Sequence, residues 1–409
     1  MPVLGFSRER VLAFLREIDR VKDSDFPYPD SKEALLSIEE AVRGWDKSLQ
    51  SLSKESSPAI IQNSCSESLA IVADCLPLLG FILRSTNVRN SFEVFGPLSR
   101  LAKLLLGKKV RLILSSEWVH SPHIYSLIPQ LPNFVLLGLP ASESGNPLLI
   151  PLAGHELGHT AWNIHGLKGD FGERVKLLIR SYVNDHQTEY KTAFGEVEAG
   201  DLFLRGNVLP AHLWAMSQIE ETFCDCLGVR LFGEAFIHAF AYLLLPWFSD
   251  RRVFRYPNMQ QRFRNLRQAA ASFGITLSHD YEPCFQQEAI PSAESTKDAF
   301  RLSMADWVAS SVVPEVIDRA SQLADEKQMP RSTENKIKKA LDSFKLLTPA
   351  SGIGSLVDIL NAGWRVYQQA DFWKDPPNVL EDHRVLTLYE LVLKSIEVLE
   401  VEELSGQVT

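Results

Sequence analysis

His155, Glu156 and His159 stand in the order H-E-x-x-H within LAGHELGHTAW, residues 152–162. On a helix, histidines four apart lie about 40° from each other on one face, so both imidazoles can reach a single ion. Imidazole is a good ligand for Zn2+, and the glutamate between the pair can take a proton from a water that the ion activates. A surface helix with two solvated histidines carries the same letters. Against it stand Leu152, Leu157, Ala161 and Trp162, which make the segment largely apolar. A buried histidine pair without an ion is costly in such a helix.

A zinc site needs a third protein ligand and an open position. Two candidates compete. The first is Glu221 in IEETFCDCLG, with Asp225 four residues on. Ile219, Phe223, Cys224, Cys226, Leu227, Val229 and Leu231 imply that this helix is buried. Carboxylates there need a cation or hydrogen-bond donors. A zinc ligand at Glu221, with Asp225 orienting a ligating histidine, satisfies both. Pairing with Arg230 or other bases is the structural alternative. The second candidate is His165, since H-E-x-x-H-x-x-x-x-x-H has the metzincin ligand spacing. Metzincins break the helix with a glycine where this chain has Trp162, and Gly166 marks a helix end just past His165 instead.

H-E-L-G-H followed on a later helix by E-x-x-x-D resembles the gluzincin-type zinc metallopeptidases, and especially the peptidase family of the HtpX heat-shock protease and the CAAX prenyl protease. The resemblance implies that Glu221 is the third ligand beside His155 and His159, on a zincin-like core. That family often carries H-P-P-x-x-x-R-[IL]-x-x-L downstream. Here YPNMQQRFRNL keeps Pro257, Arg262 and Leu266 in step and has Phe263 at the [IL] position, while Tyr256 and Asn258 replace the His and the second Pro. The resemblance covers roughly residues 130–268, and the family's membrane-spanning helices have no counterpart.

Three further residues are candidates for subsidiary roles. Tyr256 can donate to an oxyanion, and Arg262 either clamps a substrate carbonyl or ties helices together. His238, in the apolar run EAFIHAFAYLLL, reads as a core histidine before it reads as a catalytic donor. Cys224 and Cys226 flank Asp225 and point in different directions, as small core residues do. His120, His123, His186, His212, His279 and His383 show no ligand spacing.

The elements that must hold these residues are mainly α with a small β element (α+β). Residues 1–107 are helical: Val11, Leu12, Leu15 and Ile18 recur at helix spacing, and so do Leu35, Leu36, Ile38 and Val42. A Ser-rich loop spans 48–58. Val110–Leu114 and Phe134–Leu139 are β-prone runs, the second an expected edge strand for an extended peptide substrate. Pro147 or Pro151 suits a first helical turn, and helices follow near 172–193, 211–232 and 234–247. A polar stretch, 278–296, reads as a linker. The expected organisation is an N-terminal helical region (1–107), a metallopeptidase core (108–277), this linker, and a C-terminal helical region (297–409).

Composition bounds the rest. The chain has 409 residues, 45% of them apolar and 23% charged, in the range of ordinary folded proteins. Forty-two basic and 51 acidic residues give a net charge of −9, which argues against nucleic acid as the partner. Five cysteines are too few and too odd for a disulfide framework, and fit buried thiols in a reducing compartment. No signal peptide is evident. The apolar runs 68–83 and 235–248 are interrupted and fall short of a membrane span. The reading is cytoplasmic, with a protein or peptide substrate, Zn2+ as cofactor, no nucleic-acid or membrane partner, and flanking helices that can recruit a regulator. The rival is a non-catalytic zinc-binding sensor or scaffold, in which Glu156 would have no purpose.

Overall fold

The computed structural model of the chain describes residues 2–406 apart from 27, 54–55, 86–90, 120, 196–201, 246–251, 285–294 and 375–378. His120 and much of the stretch 278–296 lie outside the described residues. The described chain is 75% helical with one three-stranded sheet, the mainly α architecture expected from the sequence.

Two compact units emerge, one of residues 1–103 and 107–145, the other of 104–106 and 146–409. The sheet belongs with the N-terminal helices, and the C-terminal helices belong with the H-E-x-x-H segment.

The first unit contains α1 (Pro2–Val21), α2 (Pro29–Ser51), α3 (Pro58–Arg84) and most of α4 (Ser91–Leu106). Prolines at the first turns of α2 and α3 and the Ser57 side chain, which accepts from Ile60 N–H, fix where those helices start. Their apolar stripes, including Val11, Ile18, Leu35, Ile38, Val42 and Ile82, form one core with Ile113 and Leu136 of the sheet. Leu36, from the same periodic set, is exposed instead. α3 corrects the reading of the apolar runs. It continues through Asp74 and Pro77 and is, among the described residues, the one helix long and apolar enough by length and composition to cross a membrane.

The sheet orders β1 (Arg111–Glu117), β3 (Phe134–Pro140) and β2 (His123–Tyr125), with β3 parallel to β1 and antiparallel to β2. β3 is therefore the central strand and not the edge expected for peptide addition. β2, only three residues long, is too short to register as a β-prone run, and it covers β3 from Leu136 to Gly138. Lys103, Lys108, Lys109 and Arg111 gather around one recess of this unit with Asp30, a basic cluster hidden in the net charge.

In the second unit a 3₁₀ turn, Pro147–Leu152, leads directly into α5 (Ala153–Ile164). α6 (Leu167–Asp185) and α7 (Gln187–Phe194) follow, then α8 (Leu202–Phe232), α9 (Glu234–Leu244) and α10 (Met259–Ser272). The C-terminal part adds α11 (Thr296–Ser311), α12 (Val313–Glu326), α13 (Glu334–Lys345), α14 (Leu356–Gln368) and α15 (Glu381–Gly406). The 31-residue α8 is the axis of this unit, with α5, α6, α10, α11 and α12 packed on it. Asn361 of α14 holds the corner between α8 and α9: its amide donates to Phe232 O (2.9 Å), and its oxygen accepts from Ala235 N (3.0 Å). Trp364 ties the same helix to the turn before α5 by donating to Leu148 O (2.9 Å).

Candidate metal centre

The crossing of α5 on α8 carries the candidate chemistry. A Cβ on Gly158 would lie 2.9 Å from Cys224 Cα, and one on Gly154 would lie 3.3 Å from Gly228 Cα and 3.0 Å from the Phe232 ring. Gly154 and Gly158 are one helical turn apart on α5, as Cys224 and Gly228 are on α8. Small residues thus let the two backbones approach closely. Trp162, packed against Phe171 (5.6 Å between centroids) and Phe223 (5.5 Å), seals the far end of the crossing.

His155 and His159 leave α5 on the side facing α8, with ring centroids 5.0 Å apart. Their ligand atoms and a carboxylate oxygen of Glu221 all lie within 4.8 Å of one another. His155 Nε2 is 3.4 Å from Glu221 Oε2, and His159 Nε2 is 3.6 Å from Glu221 Oε1. Ligands about 2.0–2.1 Å from a tetrahedral ion are about 3.3 Å from each other, so each histidine stands near the spacing from Glu221 that one divalent ion requires, and the set as a whole, within 4.8 Å, could close on such an ion.

The other ring nitrogens are already engaged. His155 Nδ1 is 2.9 Å from Asp225 Oδ1, and His159 Nδ1 is 2.9 Å from Glu220 Oε1. Each carboxylate accepts the Nδ1 proton, fixing the tautomer and leaving Nε2 to face Glu221. Glu220 is the residue that sequence reasoning missed. The signal was available: each ligating histidine needs a partner for its second nitrogen, and IEET offers two adjacent acids.

Arg262 of α10 closes the set from behind. It donates to Asp225 Oδ2 (2.5 Å) and Oδ1 (3.0 Å) and to Glu221 Oε2 (2.9 Å). Its guanidinium also lies over Phe240 (4.6 Å) and Tyr256 (5.6 Å). Nε and Nη2 of Arg262 thus tie α10 to α8. In the family-like third motif, Asn258 caps α10 by accepting from Gln261 N (2.7 Å).

Electrostatics follow from this crowding. Burial opposes charge on His155, but the hydrogen bonds to Asp225 and Glu221 outweigh it and push the imidazole up to about 10. Burial likewise opposes charge on Glu221, yet His155 and Arg262 bring it down to about 2. The guanidinium of Arg262 is held above its usual range despite burial, chiefly by Asp225 and Glu221. The cluster therefore keeps the Glu221 carboxylate ionised at any ordinary pH.

Glu156 is half-buried, one residue after His155 on α5. Tyr256, 43% exposed, has its phenol raised first by the charge of Glu221, then by burial, with a further contribution from Glu156. His165 is not brought to the cluster. It caps the C-terminus of α5, where Gly166 turns the chain with φ +68°, and its Nε2 reaches Leu105 O at 3.2 Å. His238 belongs elsewhere too, between Tyr281 Oη (2.9 Å) and Gln368 Nε2 (2.8 Å). All five cysteines are free thiols. Cys65, Cys75, Cys224 and Cys226 are buried, whereas Cys284 is exposed, against the expectation for that residue. Compared with known proteins, the chain matches no family model, no curated protein and no solved structure, so the gluzincin resemblance rests on its own residues.

Proposed function

We propose that the chain is a zinc-dependent metallopeptidase of gluzincin type, with His155, His159 and Glu221 as metal ligands. One observation carries the reading: both histidines have Nδ1 held by a carboxylate and Nε2 aimed at the same third carboxylate. Histidines placed only for packing have no reason to share that arrangement. Two imidazoles and a carboxylate are a donor set of borderline softness, which suits zinc.

When bound, zinc supplies a Lewis acid that polarises a peptide carbonyl and makes a neighbouring water acidic. The chain's residues divide the remaining work. Glu156 takes the water's proton on its carboxylate and passes it to the leaving amine. Tyr256, exposed at the edge of the site, donates its phenolic proton toward the developing oxyanion. Asp225 and Glu220 hold the imidazoles in position, and Arg262 holds Asp225 and Glu221. Its Nε and Nη2 are engaged by those acids, so its work is to position them rather than to clamp the substrate.

Glu156→Gln is the test. The variant should retain about one zinc per chain and lose cleavage of an unfolded protein substrate by about 10²–10⁴-fold. Zinc binding without any cleavage by the unmodified protein would reject the peptidase reading in favour of a structural or sensing site.

A further inference from the structure

α8 carries a second buried charged group that the metal centre does not use. Arg230 stands nine residues after Glu221, about two and a half turns on, and so on the opposite face of the helix. Its side chain is 2% exposed. Nη2 donates to Asp325 Oδ1 at 2.5 Å, but Asp325 also accepts from Arg331 at 3.1 Å, so one carboxylate serves two guanidiniums. Among the described residues, Arg230 Nε and Nη1 are buried and have no partner. A guanidinium is always charged and offers only donors. Leaving two nitrogens unmet in the interior is expensive, and what is missing must be an acceptor.

Arg230 lines a cavity of about 270 Å3. Arg331, Thr276 and Ser332 add polar groups to its wall, and Phe273, Ile275 and Ile337 add an apolar side. The acids at its margin are already matched. Glu334 accepts two hydrogen bonds from Arg365 (2.6 and 2.8 Å), and Glu234 accepts from Ser278 N–H and faces His238 Nε2 at 3.4 Å. At the end formed by Arg230 and Arg331 two guanidiniums share the single carboxylate of Asp325, while Glu234 keeps one negative charge elsewhere in the lining. Gly233, with φ +65°, shapes the floor, and a Cβ there would come within 3.5 Å of Ser332 Oγ and the Asn361 amide.

We propose that this cavity binds a small organic oxyanion, its phosphate or carboxylate group on Arg230 and its body against Phe273, Ile275 and Ile337. Arginine suits such a group because its N–H donors match oxyanion acceptors and it is more weakly hydrated than an ammonium. The site is separate from the metal centre and does not depend on the peptidase reading.

The experiment titrates inorganic phosphate and, separately, succinate into the full-length protein, following heat of binding and thermal unfolding. Saturable binding of either below about 10 mM, raising the unfolding temperature, is expected. Phosphate alone would identify a phosphoryl ligand, and succinate alone a carboxylate. Arg230→Met should weaken the bound anion at least about tenfold, since a charge-assisted bond is lost. Should that variant not fold, Ser332→Ala serves, with an expected loss of about threefold to tenfold. No saturable binding of either anion, or binding unchanged in the folded variants, overturns the proposal and leaves the cavity to ordered water.

Discussion

Glu220 Oε1 lies 2.9 Å from His159 Nδ1, and so does for the second histidine what Asp225 does for the first. The two acids are not equal in their surroundings. The Asp225 side chain is 1% exposed and paired with Arg262, whereas that of Glu220 is 29% exposed. Glu220→Gln should weaken zinc binding by about 10–100-fold and leave the unfolding midpoint of the metal-free protein nearly unchanged. Asp225→Ala should weaken zinc to a similar degree and also destabilise the fold by about 3–5 kcal/mol, because it strands a buried guanidinium. Competition with a chromophoric chelator measures the first quantity, and urea unfolding the second. Equal stability losses in the two variants would contradict the assigned difference.

The ligand set itself is tested by single alanines at His155, His159, Glu221 and His165. The first three should each drop the zinc content of purified protein from about one equivalent to near none. His165→Ala should keep the metal, since its ring is engaged at Leu105 O, beyond the C-terminus of α5. Loss of metal from His165→Ala with retention in Glu221→Ala would reverse the assignment to a metzincin-like site.

How much of this was legible in the chain depends on whether the signal was local. The H-E-x-x-H pair sits within one helical turn, and the acid–acid spacing of Glu221 and Asp225 lies within another, so both read directly from sequence. Gly166 as the end of α5 was equally local. For Glu220 the sequence offered only the need of a second histidine for an acid and an acid beside Glu221; the pairing itself is a contact with His159, 61 residues away. The role of Arg262 stayed divided between substrate and helices until its three bonds to Asp225 and Glu221 fixed it. β2 was missed since three residues cannot establish an alternating pattern, and with it went the edge position of β3. The packing of α11 and α12 on α8 joins residues far apart in the chain, a relation that no local pattern records.

Gly158 tests whether the close crossing positions the ligands. An added Cβ would meet Cys224 Cα at 2.9 Å, a backbone atom that cannot swing aside. Gly158→Ala should therefore push α5 from α8, cost about 1–3 kcal/mol, and weaken zinc binding as the histidines part from Glu221. Gly172→Ala on α6 is the control. Among the described residues nothing lies within 4 Å of its added carbon, so helix propensity alone should stabilise it by about 0.5–1 kcal/mol. A stable Gly158→Ala protein with full zinc affinity would show that the close approach is not what sets the site.

Proton release on metal uptake follows from the charge state of His155. Asp225 and Glu221, working against burial, push its imidazole from 6.5 up to about 10. The raised value favours the protonated ring in the folded metal-free protein. Its contribution to stability is fully present below pH 6.5 and is lost as pH rises toward 10. Zinc must take the place of the Nε2 proton, because Nδ1 remains with Asp225. Between pH 6.5 and 10 each ion bound should therefore release at least about one proton, and apparent affinity should rise about tenfold per pH unit. Glu221, brought down to about 2, adds nothing in that range. Calorimetry at pH 7.5 in two buffers of different ionisation enthalpy reads the proton count directly. Glu221→Gln removes one of the two acids that hold the imidazolium, so its His155 should titrate lower, and NMR of the imidazole carbons in metal-free protein would follow it. Zinc uptake with no proton released at pH 7.5 would mean that Nε2 of His155 is not the group the metal displaces.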